Sequence, residues 1–343
     1  ERAQAVLDSL YQADTTCVGI LVHVEAPGLS WSGASGRSLK GGAALDPAAP
    51  ILIASNTKTY VAATVLRLVE GGKLSLDQPI GPLISERSRE LFAGDGYDLE
   101  AITLTHLLSH TSGIDSYTNY GYIDSISAQP MHRWTRDEQL ARTVRVGTKL
   151  AEPGVHYAYT DANYLLLTEV IEGRTGMSFP AAMRKLLRYD AMGYDHTWMP
   201  TLEPTPADAL PLAHQYWDEL GWDSYGVEVS ADLYGGGGIA CTTSDAARFM
   251  RDLLTGRIVQ DKDVLQLIYT EVPTQDSVPS NYLLGLQRQP LDDLTTFGHG
   301  GFWRSHTLYL PALDAAISVA VLERKHLATK NRAVWRLVTM LRK

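Results

Sequence analysis

Strand-like runs stand near both ends of this chain, and a long stretch of helical spacing separates them. Residues 18–24 and 29–35 read as two strands joined by a turn at Pro27-Gly28. Strand signals return only at 238–243, 283–287, 306–310 and 317–322. Apolar residues at helical spacing mark 1–15 (Ala5, Val6, Leu10), the stretch from Ser55 to Gly71, and 331–341 (Val334, Leu337, Val338, Leu341). In between, short helical patterns such as 104–110 and 164–173 alternate with long polar loops, which in compact proteins usually belong to binding sites. The pattern predicts an α/β (α+β) fold: an antiparallel sheet drawn from both ends of the chain, flanked by the terminal helices, with a mostly helical region inserted. The expected division is 1–72 with 240–343 for the sheet domain and 73–239 for the helical one. A site is expected in the cleft where they meet.

With 343 residues, 45% of them hydrophobic and 20% charged, the chain can bury a large core. Its net charge of −9 comes from interspersed acids and bases, so no basic stripe argues for nucleic acid. No apolar run approaches the ~18 residues that would cross a bilayer. The chain begins at Glu1, so the compartment is left open: periplasmic or secreted if a leader has been removed, cytoplasmic otherwise. Cys17 and Cys241 lack metal-ligand spacing and lie in apolar stretches, which suits buried free thiols. Oligomeric state is not readable.

Three short constellations carry chemistry. Ser55-Asn56-Thr57-Lys58 is the only place where a lysine follows a serine by three residues. On a helix these positions share a face, so an ammonium can sit beside the hydroxyl. An apolar run, Ile51 to Ala54, delivers Ser55 to what reads as a helix N-terminus, where backbone N–H groups favour a developing anion. Serine needs a neighbouring base, and a buried lysine can serve. Alone, the same pattern also fits a helix cap with an exposed lysine. Tyr159-Thr160-Asp161 supplies a phenol able to relay a proton, or equally a capped helix entry over a packed tyrosine. Phe297-Gly298-His299-Gly300-Gly301-Phe302 reads as a strand edge whose glycines admit a substrate backbone, or as a plain Gly-rich turn.

Taken in order, these three resemble the serine β-lactamase and penicillin-binding-protein superfamily, whose pattern is Ser-x-x-Lys, Tyr-x-Asn and Lys- or His-x-Gly. The branch most similar holds class C β-lactamases, D-alanyl-D-alanine carboxypeptidases, D-aminopeptidases and related esterases. His106-Leu-Leu-Ser-His110-Thr-Ser-Gly113, Pro153-Gly154 before Tyr157-Ala-Tyr159, and Gly235-Gly-Gly-Gly238 leading to Asp245 extend the resemblance. It implies that Ser55 forms an acyl-enzyme and that Lys58 and Tyr159 move its proton. It also implies an oxyanion held between the backbone N–H groups of Ser55 and Phe302, and a His299 that supplies positive charge or a hydrogen bond. The substrate is then a small molecule or short peptide, with no cofactor and no metal.

Asp161 departs from the family's asparagine. An ionised carboxylate only accepts hydrogen bonds and adds charge beside Lys58. It would hold Lys58 protonated, leaving Tyr159 as the main base, or meet a cationic substrate such as a free amino terminus. That favours an esterase or D-amino-acid amidase over a β-lactamase or carboxypeptidase. Asn163 stands two residues out of register for the lost contact. Gly300, Gly301, Trp303 and Arg304 are candidates for binding substrate: Trp303 as the wall of an acyl pocket, Arg304 for a carboxylate or merely as a surface arginine. His106 and His110 lack the glutamate that a metalloprotease helix places after its first histidine, and no Gly-x-Ser-x-Gly elbow occurs. Acyl transfer to a small acceptor, and a ligand sensor or self-assembling scaffold on the same fold, remain alternative readings.

Overall fold

The computed structural model describes every residue except Glu1, Thr15, Tyr120, Pro279 and Lys343. Its main sheet is antiparallel and six-stranded, in the order Leu29–Gly36, Gly19–Ala26, Ala315–Val321, Ser305–Leu310, Leu294–Gly300, Gln287–Leu291. The N-terminal hairpin thus pairs with strands from the C-terminal end, with Ile20 opposite Val321 and Val24 opposite Ile317. Both central strands are buried on both faces because both faces are covered. Ile20, Val22, Val24, Ile317 and Val319 pack with Leu7, Leu10, Leu337 and Val338 from the terminal helices Arg2–Ala13 and Leu327–Leu341. The alternate residues Leu21, Ala316 and Ala320 turn to the main core, which Thr243–Leu254 covers. Burying each large aliphatic side chain is worth about 1.5–3 kcal/mol, so a one-residue slip of either strand is heavily penalised.

The first helix, Arg2–Ala13, falls within its expected span but stops before Asp14, and Glu1 and Thr15 lie outside the described residues. The last helix begins four residues earlier than its pattern suggested. The expected strand at 283–287 is a buried loop: Leu283, Leu284 and Leu286 fill the core around Gly285, where a Cβ would stand 2.4 Å from that of Ala62. The strand follows instead at Gln287–Leu291 and turns at Asp292-Asp293 into Leu294–Gly300.

Between the sheet segments lie the helices Glu86–Gly94, Leu104–Leu108, Tyr122–Ala128, Arg136–Val146, Asp161–Thr175 and Phe179–Leu186. The helix Thr57–Glu70 is buried at eleven of its 14 positions and packs on Asp161–Thr175, Phe179–Leu186 and the sheet. Cys17 and Cys241 are buried free thiols, and burial pushes the Cys17 thiol up to about 12. No helix among the described residues is long and apolar enough to cross a membrane.

Candidate active site

Ser55 stands just beyond a strained step. Ala54, at φ 47°, occupies the left-handed region, which costs a non-glycine residue about 1–2 kcal/mol. The strain bends the chain from the Ile51–Leu52 strand into a 3-10 turn, Ala54–Asn56, and only then into the α-helix. Ser55 therefore precedes the α-helix instead of opening it, and no side chain caps this helix. The clamp is Asn56. Its amide donates to Ile53 O at 2.9 Å and Ser305 Oγ at 3.0 Å, and its Oδ1 accepts from Thr307 N at 3.2 Å. The strand Ser305–Leu310 is thereby tied to the serine turn. Gly301 completes the junction: a Cβ there would lie 2.2 Å from Ile53 O, so only glycine lets the 301–304 turn come this close. Phe302 follows in that turn and lines the same cavity as Ser55.

Lys58 Nζ has no solvent exposure and donates to Ser55 Oγ at 3.2 Å, to Asp161 Oδ1 at 2.5 Å and to Gly236 O. Three acceptors match the three donors of an ammonium. Asp161 reaches Lys58 from the first turn of Asp161–Thr175, whose cap is the Thr160 hydroxyl accepting from Ala162 N. Gly236 backs it closely, since a Cβ there would meet Asp161 Cβ at 2.9 Å. The serine oxygen accepts from Lys58, so its own proton is free for Tyr159, on whose phenol the Ser55 hydroxyl acts. The Tyr159 ring is 37% exposed, but its hydroxyl end is enclosed. That enclosure, and secondly the Asp161 carboxylate, push the phenol well above the ordinary tyrosine value against the smaller pull of Ser55.

His299 departs from the charged role. It is buried, with Nδ1 at 2.7 Å from Gly300 O and Nε2 at 3.0 Å from the Tyr282 hydroxyl. A carbonyl only accepts, so these partners assign the proton to Nδ1 and make Nε2 the acceptor. Burial, and secondly Lys58, push the imidazole down to about 3. His299 is thus neutral and supplies position, not charge. Neither it nor Gly300 lines the cavity, whereas Gly301, Phe302, Trp303 and Arg304 do. Asn163 is buried beneath its helix, accepting from Ser112 Oγ at 2.7 Å, and leaves the Asp161 position unreplaced.

The cavity holds about 470 Å³. Ser55, Tyr159 and Asp161 form one wall, and Leu52, Trp217, Trp222, Val227 and Phe302 give it an apolar body. Two lining groups carry no sequence motif. Asp232, on the 3-10 turn Val229–Asp232, is raised to about 7 by burial and by the neighbouring Asp161 charge, with Lys58 opposing. Arg324 enters from the end of the Ala315–Val321 strand. His110 lies under Tyr159, ring centroids 4.2 Å apart, and burial holds it neutral, well below its ordinary value.

The family model for Beta-lactamase matches residues 7–339. The chain belongs to the Beta-lactamase family. Within it, the chain is 34% identical over 144 residues to esterase EstB of Burkholderia gladioli, covering 39% of this chain and 35% of the esterase. It is 22% identical over 222 residues to a D-aminopeptidase of Gluconobacter oxydans, covering 63% and 40%. The chain thus spans well under two thirds of the length of these curated relatives. In fold, it is similar to the D-amino acid amidase of Ochrobactrum anthropi SV3, with a TM-score of 0.82 at 23% identity over 99% of this chain and 97% of that one. A D-stereospecific amidohydrolase from Streptomyces gives 0.78 at 24% identity, covering 94% and 93%. As these relatives' names state, this Beta-lactamase family member is similar to esterases, aminopeptidases and amidases.

Proposed function

We propose that this chain is a serine hydrolase that cleaves an ester or amide through an acyl-enzyme on Ser55. The observation that carries the reading is a serine hydroxyl that accepts from an enclosed ammonium and shares a cavity wall with a phenol on which it acts. Ser55 Oγ bonds to the substrate carbonyl carbon while the carbonyl π pair moves onto oxygen. The backbone N–H groups of Ser55 and Phe302 receive that oxyanion; one such donor is worth about 10²–10³ in turnover. Tyr159 takes the serine proton as it passes its own to the leaving group, whose bond to the carbonyl carbon breaks as the oxyanion pair re-forms the carbonyl and leaves the acyl-serine, so a phenol held neutral suffices and no resting tyrosinate is required. Lys58, paired with Asp161, stays an ammonium that orients Ser55 and offsets the growing negative charge. Water then repeats the relay in reverse and frees Ser55. The working cleft lies between the sheet segments 1–72 and 240–343 and the helical segment 73–239.

Asp161, and Asp232 once ionised above about pH 7, put negative charge in the cavity that Ser55 lines. This favours a substrate whose acyl part carries an ammonium near the scissile carbonyl, as in an amino-acid amide or ester, over a β-lactam. Turnover of a p-nitrophenyl ester, a D-alanine amide and a cephalosporin, each compared between wild type and Ser55→Ala, tests this. The reading expects the ester or the amide to be hydrolysed fastest, with a drop of at least about 10³ in the variant. Equal rates in the variant would overturn the mechanism, and a preference for the cephalosporin would overturn the substrate class.

A further inference from the structure

Arg304 and Arg324 line the cavity, and neither has a carboxylate within ion-pair distance among the described residues. Arg324 lays its guanidinium carbon 4.1 Å from the Trp217 ring centre and 4.0 Å from that of Phe302. Its Nη1 donates to Phe302 O, while its Nε is buried without a partner. Arg304 reaches the same place from the 301–304 turn at φ 67°, a conformation that glycine would adopt without strain. Its Nε donates to Arg324 O. Lys330 is buried next to Arg304. None of the three forms an ion pair with any described residue, in a chain whose net charge is −9. Glu219 acts on Arg324 only at a distance. Burial and Arg304 together lower Arg324 to about 10, and burial and Arg304 lower Lys330 to about 8, as expected where cations crowd without a counter-ion.

Resting on the acyl-serine reading above, we propose that Arg324, supported by Arg304, is a carboxylate-binding subsite, so that the preferred substrate carries a free carboxylate several bonds from its scissile carbonyl. The aromatic rings fix the guanidinium plane, and the part of Arg324 that lines the cavity, with no carboxylate partner, is left to meet an anion. A carboxylate can pair with a guanidinium edge through two parallel hydrogen bonds. Asp161 and Asp232 line the same cavity, so it offers both signs of charge, which suits a zwitterionic amino-acid or short-peptide conjugate.

Two substrate pairs test the subsite. In the first, p-nitrophenyl butyrate is compared with mono-p-nitrophenyl glutarate, which places the charge on the acyl side. In the second, methyl 4-(butyryloxy)benzoate is compared with its free acid, which places it on the leaving side. Because Arg324 also holds the Phe302 carbonyl, the readout is the ratio of kcat/KM for the charged and neutral members of a pair, in which any shared loss cancels. Arg324→Gln is expected to lower that ratio about 10- to 100-fold in one pair, and Arg324→Lys, which keeps the charge, by less. Ratios unchanged in both pairs would overturn the subsite and leave Arg324 as a support for the turn. Calorimetry on Ser55→Ala protein needs no turnover and keeps the two readings separable. There, 4-phenylbutanoate should bind at least tenfold tighter than 4-phenylbutanamide, and the added change Arg324→Gln should erase the difference. Equal binding of the two would overturn the subsite even if Ser55 proves to be the nucleophile.

Discussion

Lys58 and Arg324 are two enclosed cations of one cavity, and their surroundings are opposite. Lys58 has three oxygen acceptors, one of them a carboxylate, at the end of a buried helix. Arg324 has two aromatic rings, one carbonyl and an idle Nε. A buried charge with a full set of partners belongs to the machinery, because removing either member strands the other. A charge left short of partners stores binding capacity for something that arrives. On the proposed mechanism and subsite, the protein keeps its reacting end closed and its recognising end open.

The contrast can be broken most severely at Lys58. Lys58→Met removes the donor to Ser55 and strands Asp161, so turnover should fall by at least about 10³ and stability by about 3–5 kcal/mol. A denaturant midpoint within error of wild type would show that the pair is not integral. Asp161→Asn is milder. It leaves Lys58 with a neutral partner and removes the second cause of the raised Tyr159 phenol, so the basic limb of the pH–rate profile should move to lower pH. Selectivity should also shift by about tenfold towards neutral amides or β-lactams, since loss of one charge contact is worth roughly 1–2 kcal/mol. An unmoved basic limb and unchanged selectivity would remove Asp161 from the account.

Asp232 gives a stability effect with a definite sign. Its folded value is raised above the unfolded one, so its contribution is complete below about pH 4 and is lost as pH rises through about 7. Between pH 5 and 8 wild type should lose about 2–3 kcal/mol that Asp232→Asn does not lose, read from urea midpoints at each pH. Parallel pH curves for the two proteins would contradict the raised value. The smallest effect belongs to the open cation: Arg324→Met breaks no ion pair and should change stability by less than about 1 kcal/mol. A loss as large as that of Lys58→Met would mean the two cations do not differ as described.

The closed end was legible in the sequence, and the open end was not. Ser55, Lys58, Tyr159 and Asp161 fall in short motifs because a helical turn or a capped helix entry fixes them locally. The pairing of the two chain ends in one sheet could be read from strand-like runs at both ends. The hairpin Gln287–Gly300 could not, because Pro290 argues against a strand. The proline is tolerated only because Gln287–Leu291 is the sheet's edge. Asp232, Trp217 and Arg324 come from separate stretches that meet only after folding, with no spacing to announce them. His299 was legible as a position but not as a charge. A Gly-rich strand edge gives no sign that Tyr282 and Gly300 will occupy both ring nitrogens.

Intact-protein mass spectrometry within seconds of mixing tests the central claim most directly, with wild type and Ser55→Ala exposed in parallel to a slowly deacylating p-nitrophenyl ester. The account predicts a mass gain equal to one acyl group on wild type and none on the variant. An equal adduct on both proteins, or p-nitrophenol released at the same rate by both, would contradict an acyl-enzyme on Ser55.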